Sequence, residues 1–163
     1  MSIDPTDILI AAALGIAATL LMDGWNLFAR RVLGLGGLDL CLLGRWVRHM
    51  PAGTFRHQDI RAAAPRPHEC AVGWIAHYSI GIGLAVAFVL LVQGEWLARP
   101  TLFPALLFGA VTVVFPLFVL QPALGFGVAS SRAPRPAQAR AKSFATHLVF
   151  GFGLWAVALL IGG

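Results

Sequence analysis

Three ionisable side chains lie where such groups are rare, inside long apolar runs: Asp23 in Ile8–Ala29, His77 in Ala71–Val92 and His147 in Phe144–Ile161. A titratable group within a span of this kind is costly and marks a functional site by default. Neutral imidazole is the commonest biological metal ligand, and it also carries protons at physiological pH. A carboxylate beside it can serve as a third ligand, as the acceptor that orients the ring, or as a proton carrier. Both histidines stand in the same phrase, His-x-x-x-Gly-x-Gly, with Gly81 and Gly151 one turn beyond them. Small residues there permit close helix packing or leave room for a flat ligand. The leading expectation is a transition metal or haem b held by His77, His147 and Asp23, with redox chemistry as its use.

These residues need long elements to hold them. The chain has 163 residues, of which 58% are hydrophobic and only 12% charged. Soluble domains carry about 25% charged residues. Four runs are long enough for a bilayer, which needs roughly 20 residues of helix: about 8–29, 71–92, 102–120 and 144–161. The expected fold class is all-α, a single membrane domain over 1–163 built as a four-transmembrane-helix bundle. Pro116 should kink the third span, Gln121-Pro122 should end it, and Ser143 should cap the fourth. The acidic segment Met1–Asp7 lacks the positive start of a signal peptide, so no cleavage is expected. Gly94–Pro100 reads as a tight outer turn, with Trp96 suited to the interface.

Two polar loops, 30–70 and 122–143, join the spans on one side. Leu38–Met50 reads as an amphipathic interfacial helix, with Arg45, Arg48 and His49 on one face and Leu40, Leu43, Trp46 and Val47 elsewhere. Thr54 can cap a second short helix, Phe55–Ala64. His49, His57 and Gln121 are possible further site residues. Arg45 and Arg56, set among aromatic rings and imidazoles, are candidate contacts for an anionic headgroup or carboxylate. No role is expected for His68, and Trp74 and Tyr78 are expected to pack or line the bundle.

Eleven of the twelve Lys and Arg residues flank these two loops, and only Arg99 lies opposite. The positive-inside rule then makes the loops cytoplasmic and both termini periplasmic. Cys41 and Cys70 fall on the cytoplasmic side, where no disulfide is expected. Asp23, His77, His147 and Gln121 all come out at a similar depth, near the cytoplasmic face, where inward groups of a bundle form one site. The two hairpins share their layout and suggest a parallel duplication. The net charge of +5 belongs to topology, so no nucleic acid partner is expected.

Several classes are absent from the sequence: there is no phosphate-binding Gly-x-x-x-x-Gly-Lys-Ser/Thr loop, no His-Glu-x-x-His and no Gly-x-Ser-x-Gly elbow. Five histidines with few acidic partners do not suit a membrane di-iron desaturase. The ordered set Met22-Asp23-Gly24-Trp25, Gly44-Arg45-Trp46-x-x-His49-Met50-Pro51, Phe55-Arg56-His57, Gly73-Trp74-Ile75-Ala76-His77-Tyr78 and Gln121-Pro122-Ala123-x-Gly125 resembles a bacterial family of small membrane proteins known as domain of unknown function 2938. The resemblance covers nearly the whole chain. It implies a four-span inner-membrane protein and carries no established activity. Two alternatives to the metal or haem site stand beside it. One is a small transporter using Asp23 and the histidines as protonatable coupling groups. The other is a structural or accessory subunit whose glycine faces bind a second copy or another membrane protein. Whether the chain is an enzyme is left open by its residues.

Overall fold

In lipid every backbone N–H and C=O must find a partner within the protein, and a helix supplies them locally. Helices are what the apolar runs form. The computed structural model describes residues 5–37, 39–92 and 95–162. The start of the acidic N-terminal segment, Leu38 of the expected loop helix, and Gly94 of the expected outer turn lie outside the described residues.

Among the described residues the regular structure is helical throughout: α1 Pro5–Val32, α2 Leu40–His49, α3 Glu69–Leu91, α4 Glu95–Ala98, α5 Leu102–Thr112, α6 Gln121–Leu124 and α7 Pro136–Gly162, with short 3-10 and π turns between them. Four stretches are long and apolar enough to cross a membrane: Thr6–Val32, Glu69–Leu91, Leu102–Leu124 and Pro136–Ile161. The protein is therefore an all-α membrane protein with four spans. Large side chains such as Leu9, Ile75, Phe103 and Leu160 are exposed. In water such faces would be a liability; against acyl chains they are the expected surface.

Three sequence expectations are corrected. The fourth helix starts at Pro136 rather than at Phe144, so Ser143 is interior and caps nothing. Proline suits the first helical position, and the alanine-rich stretch after it is a strong helix former although it is polar. An apolarity criterion sees only the later part. The third span does not stop at Leu120; α5 passes through a π turn at Pro116–Leu120 into α6. Phe55–Ala64 forms no helix. Only a 3-10 turn, Ile60–Ala62, appears there, and its cap is Asp59 rather than Thr54.

The chain divides into two compact units, and neither corresponds to one hairpin. The first comprises Met1–Gly34, Tyr78–Val111 and Ala145–Gly163. Its core is built on Leu14, Ala18, Phe88, Val89, Phe150 and Leu154. Phe88 meets the Trp96 ring edge-on at 4.8 Å and Phe108 at 5.1 Å. Backbones approach closely here. A Cβ on Gly81 would fall on the Thr19 hydroxyl, and one on Gly109 would lie 2.5 Å from the His147 carbonyl oxygen. A Cβ on Gly151 would fall on the Ala105 carbonyl. Gly81 and Gly151 are thus helix-packing positions, and the space for a flat ligand is taken by neighbouring helices.

The second unit comprises Leu35–His77 and Thr112–Phe144. Its organising contact is between α2 and the first turns of α3. A Cβ on Gly44 would fall on the Glu69 carbonyl, and one on Gly73 on the Leu40 carbonyl. Beside this crossing Cys41 and Cys70 are joined by a disulfide, with Cα atoms 3.9 Å apart. This reverses the sequence expectation of free thiols. The reason is local: Cys41-x-x-Gly44 and Cys70-x-x-Gly73 repeat one spacing, so the glycines that let the backbones touch also bring the cysteines together.

Candidate functional site

Asp23 lies on α1 in the first unit, half-buried, and its Oδ2 accepts a hydrogen bond from the Tyr78 hydroxyl of α3 at 3.1 Å. One turn further along α1, Asn26 Oδ1 accepts from the Thr146 hydroxyl of α7 at 3.2 Å. Positions three apart share a helix face. One stripe of α1 thus carries a carboxylate and an amide, and each is met by a hydroxyl from a different span. His147 follows Thr146 and is half-buried, with its backbone carbonyl against Gly109. Tyr78 and Thr146 were not singled out as site residues by the sequence. The available signal was that Tyr78 is the chain's one tyrosine and sits inside a span next to a histidine.

His77 belongs to the second unit, where its ring lies 6.2 Å from that of Trp74, one turn earlier on α3. Gln121 Oε1 accepts a hydrogen bond from the Ser130 hydroxyl at 2.6 Å. Among the described residues no three or more His, Cys, Asp or Glu side chains gather into a group able to hold a metal ion. The expectation of a metal at Asp23, His77 and His147 gains no support from this geometry.

The second unit concentrates its polar chemistry around Arg45. Its Nε donates to Glu69 Oε2 at 2.9 Å and its Nη2 to Glu69 Oε1 at 2.7 Å, a two-pronged pairing. Nη1 reaches the carbonyls of Ile60, Ala63 and Arg61 at 3.3, 3.2 and 3.4 Å. Both charged side chains are mostly buried, 12% and 14% exposed, so the pair is shielded from solvent competition. Hydrogen bonding to Glu69 raises the Arg45 pKa above its ordinary value, against the opposing effect of burial. The carboxylate that Arg45 meets is therefore one from its own chain. The Phe55 carbonyl, which would open the ladder of the missing helix, accepts instead from Trp46 Nε1 at 2.9 Å.

His49 is buried rather than solvated. Its Nε2 lies 3.0 Å from the Ala64 carbonyl and 3.3 Å from Arg66 Nε. A protonated Nε2 donates to the carbonyl, and an unprotonated one accepts from the arginine. The His57 ring stands edge-on to His49 at 5.1 Å. His57 Nε2 is buried without a hydrogen-bond partner. Burial lowers the His57 pKa, and the nearby His49 lowers it further. His57 is anchored through its backbone, whose N–H donates to the Ala123 carbonyl at 2.8 Å. Arg56 is exposed, as is Arg48. Arg61 pairs with Asp59 and stacks over the Phe126 ring at 5.5 Å. The sequence pointed to Arg45, His49 and His57 as one neighbourhood but gave no sign of Glu69, which lies far along the chain from its partner.

No curated protein and no solved structure matches the chain. A family profile matches the chain nearly end to end. The chain belongs to the family described as protein of unknown function, DUF2938, whose profile matches residues 12–161.

Proposed function

We propose that the protein is a small inner-membrane transporter that couples movement of a solute to protonation of Asp23, with both termini periplasmic and the basic loops cytoplasmic. The observation that carries this reading is the hydrogen bond from Tyr78 to Asp23 within the apolar part of the chain. A carboxylate at such a depth is costly when charged, and a hydroxyl donor lowers that cost while leaving the group able to take up a proton. That is the environment a proton carrier needs. The Asn26–Thr146 pair continues the polar stripe and offers further exchangeable donors and acceptors. A three-ligand metal site would need a cluster that the described residues do not form, so proton carrying is the better-supported use of Asp23. The distribution of Lys and Arg supports the orientation.

The test is electrical. Purified protein in liposomes on a solid-supported membrane is challenged with a panel of small cationic, anionic and neutral solutes across a pH step. At least one solute should give a proton-linked current. Asp23→Asn should reduce it at least about tenfold, the scale of a lost proton-transfer group, and Tyr78→Phe should shift its pH dependence. An Asp23→Asn current equal to wild type, or no current with any solute, sinks the reading. An absorbance spectrum and metal analysis of the same preparation would then address haem or metal at His77 and His147.

A further inference from the structure

The junction of α2 and α3 carries two cysteines, two glycines and an ion pair on one pair of facing surfaces. Cys41, Gly44 and Arg45 lie within one turn of α2, and Glu69, Cys70 and Gly73 within the first turn or so of α3. The glycines place backbone against backbone, and Arg45 grips Glu69 with two hydrogen bonds. The junction is therefore held without its disulfide. The disulfide lies at its edge, where Cys70 is exposed and Cys41 half-buried. Buried structural disulfides are shielded from exchange; this one is open to small thiols.

The same junction lies in the loop bearing Arg30, Arg31, Arg45, Arg48, Arg56, Arg61 and Arg66. In the orientation proposed above, that loop is in the cytoplasm, where thiols are kept reduced. A cysteine pair brought together by the packing of its two helices, with Cys70 exposed, in a reducing compartment is a sensor rather than a staple. We infer that Cys41 and Cys70 form a redox-modification site, a reversible clasp between α2 and α3 that is closed by exchange with a small disulfide of the glutathione class. This inference rests on the proposed orientation.

The exchange balances without other reactants. The Cys70 thiolate, the accessible one, attacks a sulfur of the small disulfide and expels one small thiol. The Cys41 thiolate then attacks Sγ of Cys70 and expels the second. The two protein thiols lose two electrons and two protons, and the small disulfide becomes two thiols. Closure adds a covalent link to a helix that already fixes its surroundings. Through Arg45, α2 holds the carbonyls of Ile60, Arg61 and Ala63, and through Trp46 Nε1 it holds the Phe55 carbonyl at 2.9 Å. Oxidation thus locks α2, the 55–63 segment and the start of α3 into one body. Reduction leaves them joined by noncovalent contacts alone.

The experiment counts thiols in cells expressing the full chain. Acid-trapped samples are tagged with a maleimide-polyethylene glycol reagent, before and after the thiol oxidant diamide and after recovery. The expected result is two tags in unstressed cells, none after diamide, and two again on recovery. Cys41→Ser should show one tag in unstressed cells. In parallel, a membrane-impermeant maleimide should fail to label intact cells and should label inverted vesicles. Two tags at every stage would overturn the clasp. No tags in unstressed cells would also overturn it, because the bond would then be permanent. The impermeant reagent separates this from a failure of the orientation: labelling of intact cells after reduction would place the loop outside and sink the orientation as well. Purified oxidised protein should melt several degrees above the reduced form, and equal melting would remove the proposed locking.

Discussion

A buried imidazole nitrogen with no partner makes stability depend on pH, and the sign follows from which state accepts the proton more readily. Burial and His49 lower the His57 pKa in the folded chain. The unfolded chain keeps the ordinary value near about 6.5. Above that value both states are neutral at this position, and its contribution to stability is fully present. As pH falls through the lowered folded value, protons bind the unfolded state first and the contribution is lost. The melting temperature in detergent should therefore be flat above pH about 7 and fall as pH drops below about 6.5. His57→Asn should flatten that fall, and an unchanged profile would count against His57 as its source. At this scale the sequence was most informative where chemistry is anomalous for its surroundings, as at Asp23 in an apolar run. It was silent on Glu69, an ordinary glutamate at the edge of a span whose importance comes only from folding against Arg45.

Element packing follows from the same small residues read in two ways. Gly44 and Gly73 sit where a methyl group has no room, whereas Gly83 of α3 has open space beside it. Overpacking a tight contact costs about 1–3 kcal/mol. Replacing a helical glycine that touches nothing gains roughly 0.5–1 kcal/mol. Gly44→Ala should lower the melting temperature clearly and Gly83→Ala should leave it equal or raise it; the same response from both variants would show that the α2–α3 contact is looser than described. The spans were legible because roughly 20 apolar residues admit one solution in lipid. Their ends were not. Pro136–Lys142 is helical by propensity and by its proline start, with no apolar signal to announce it. In the segment before Ile60 the Phe55 carbonyl accepts from Trp46 Nε1 and the His57 N–H donates to the Ala123 carbonyl, long-range bonds that no local pattern contains.

For the whole molecule, charge distribution and span number set one prediction. With Arg99 alone among the Lys and Arg on the other side, a reporter fused after Gly163 should show periplasmic activity, and a fusion after Arg66 should show cytoplasmic activity. The reverse pattern would invert the orientation and turn the Cys41–Cys70 bond into an ordinary disulfide of an oxidising compartment. The fold class and the four spans were readable from composition. The candidate site was readable only as a set of residues, because one partner of Asp23 is a tyrosine that composition marks as apolar filling.

The π turn at Pro116–Leu120 has a geometric meaning of its own. The Gln121 N–H bonds the Pro116 carbonyl, five residues back instead of four. The third span thus contains one residue more than a regular helix would use. Tighten that turn to α geometry with every residue kept, and everything after it rotates by about 100°. Gln121 would swing away from Ser130, the Ala123 carbonyl away from the His57 N–H, and Gly125 away from the Gln58 carbonyl beside which only a glycine fits. The surplus residue acts as a registration key: it sets the azimuth at which the span delivers its last turn to the polar segment carrying His57.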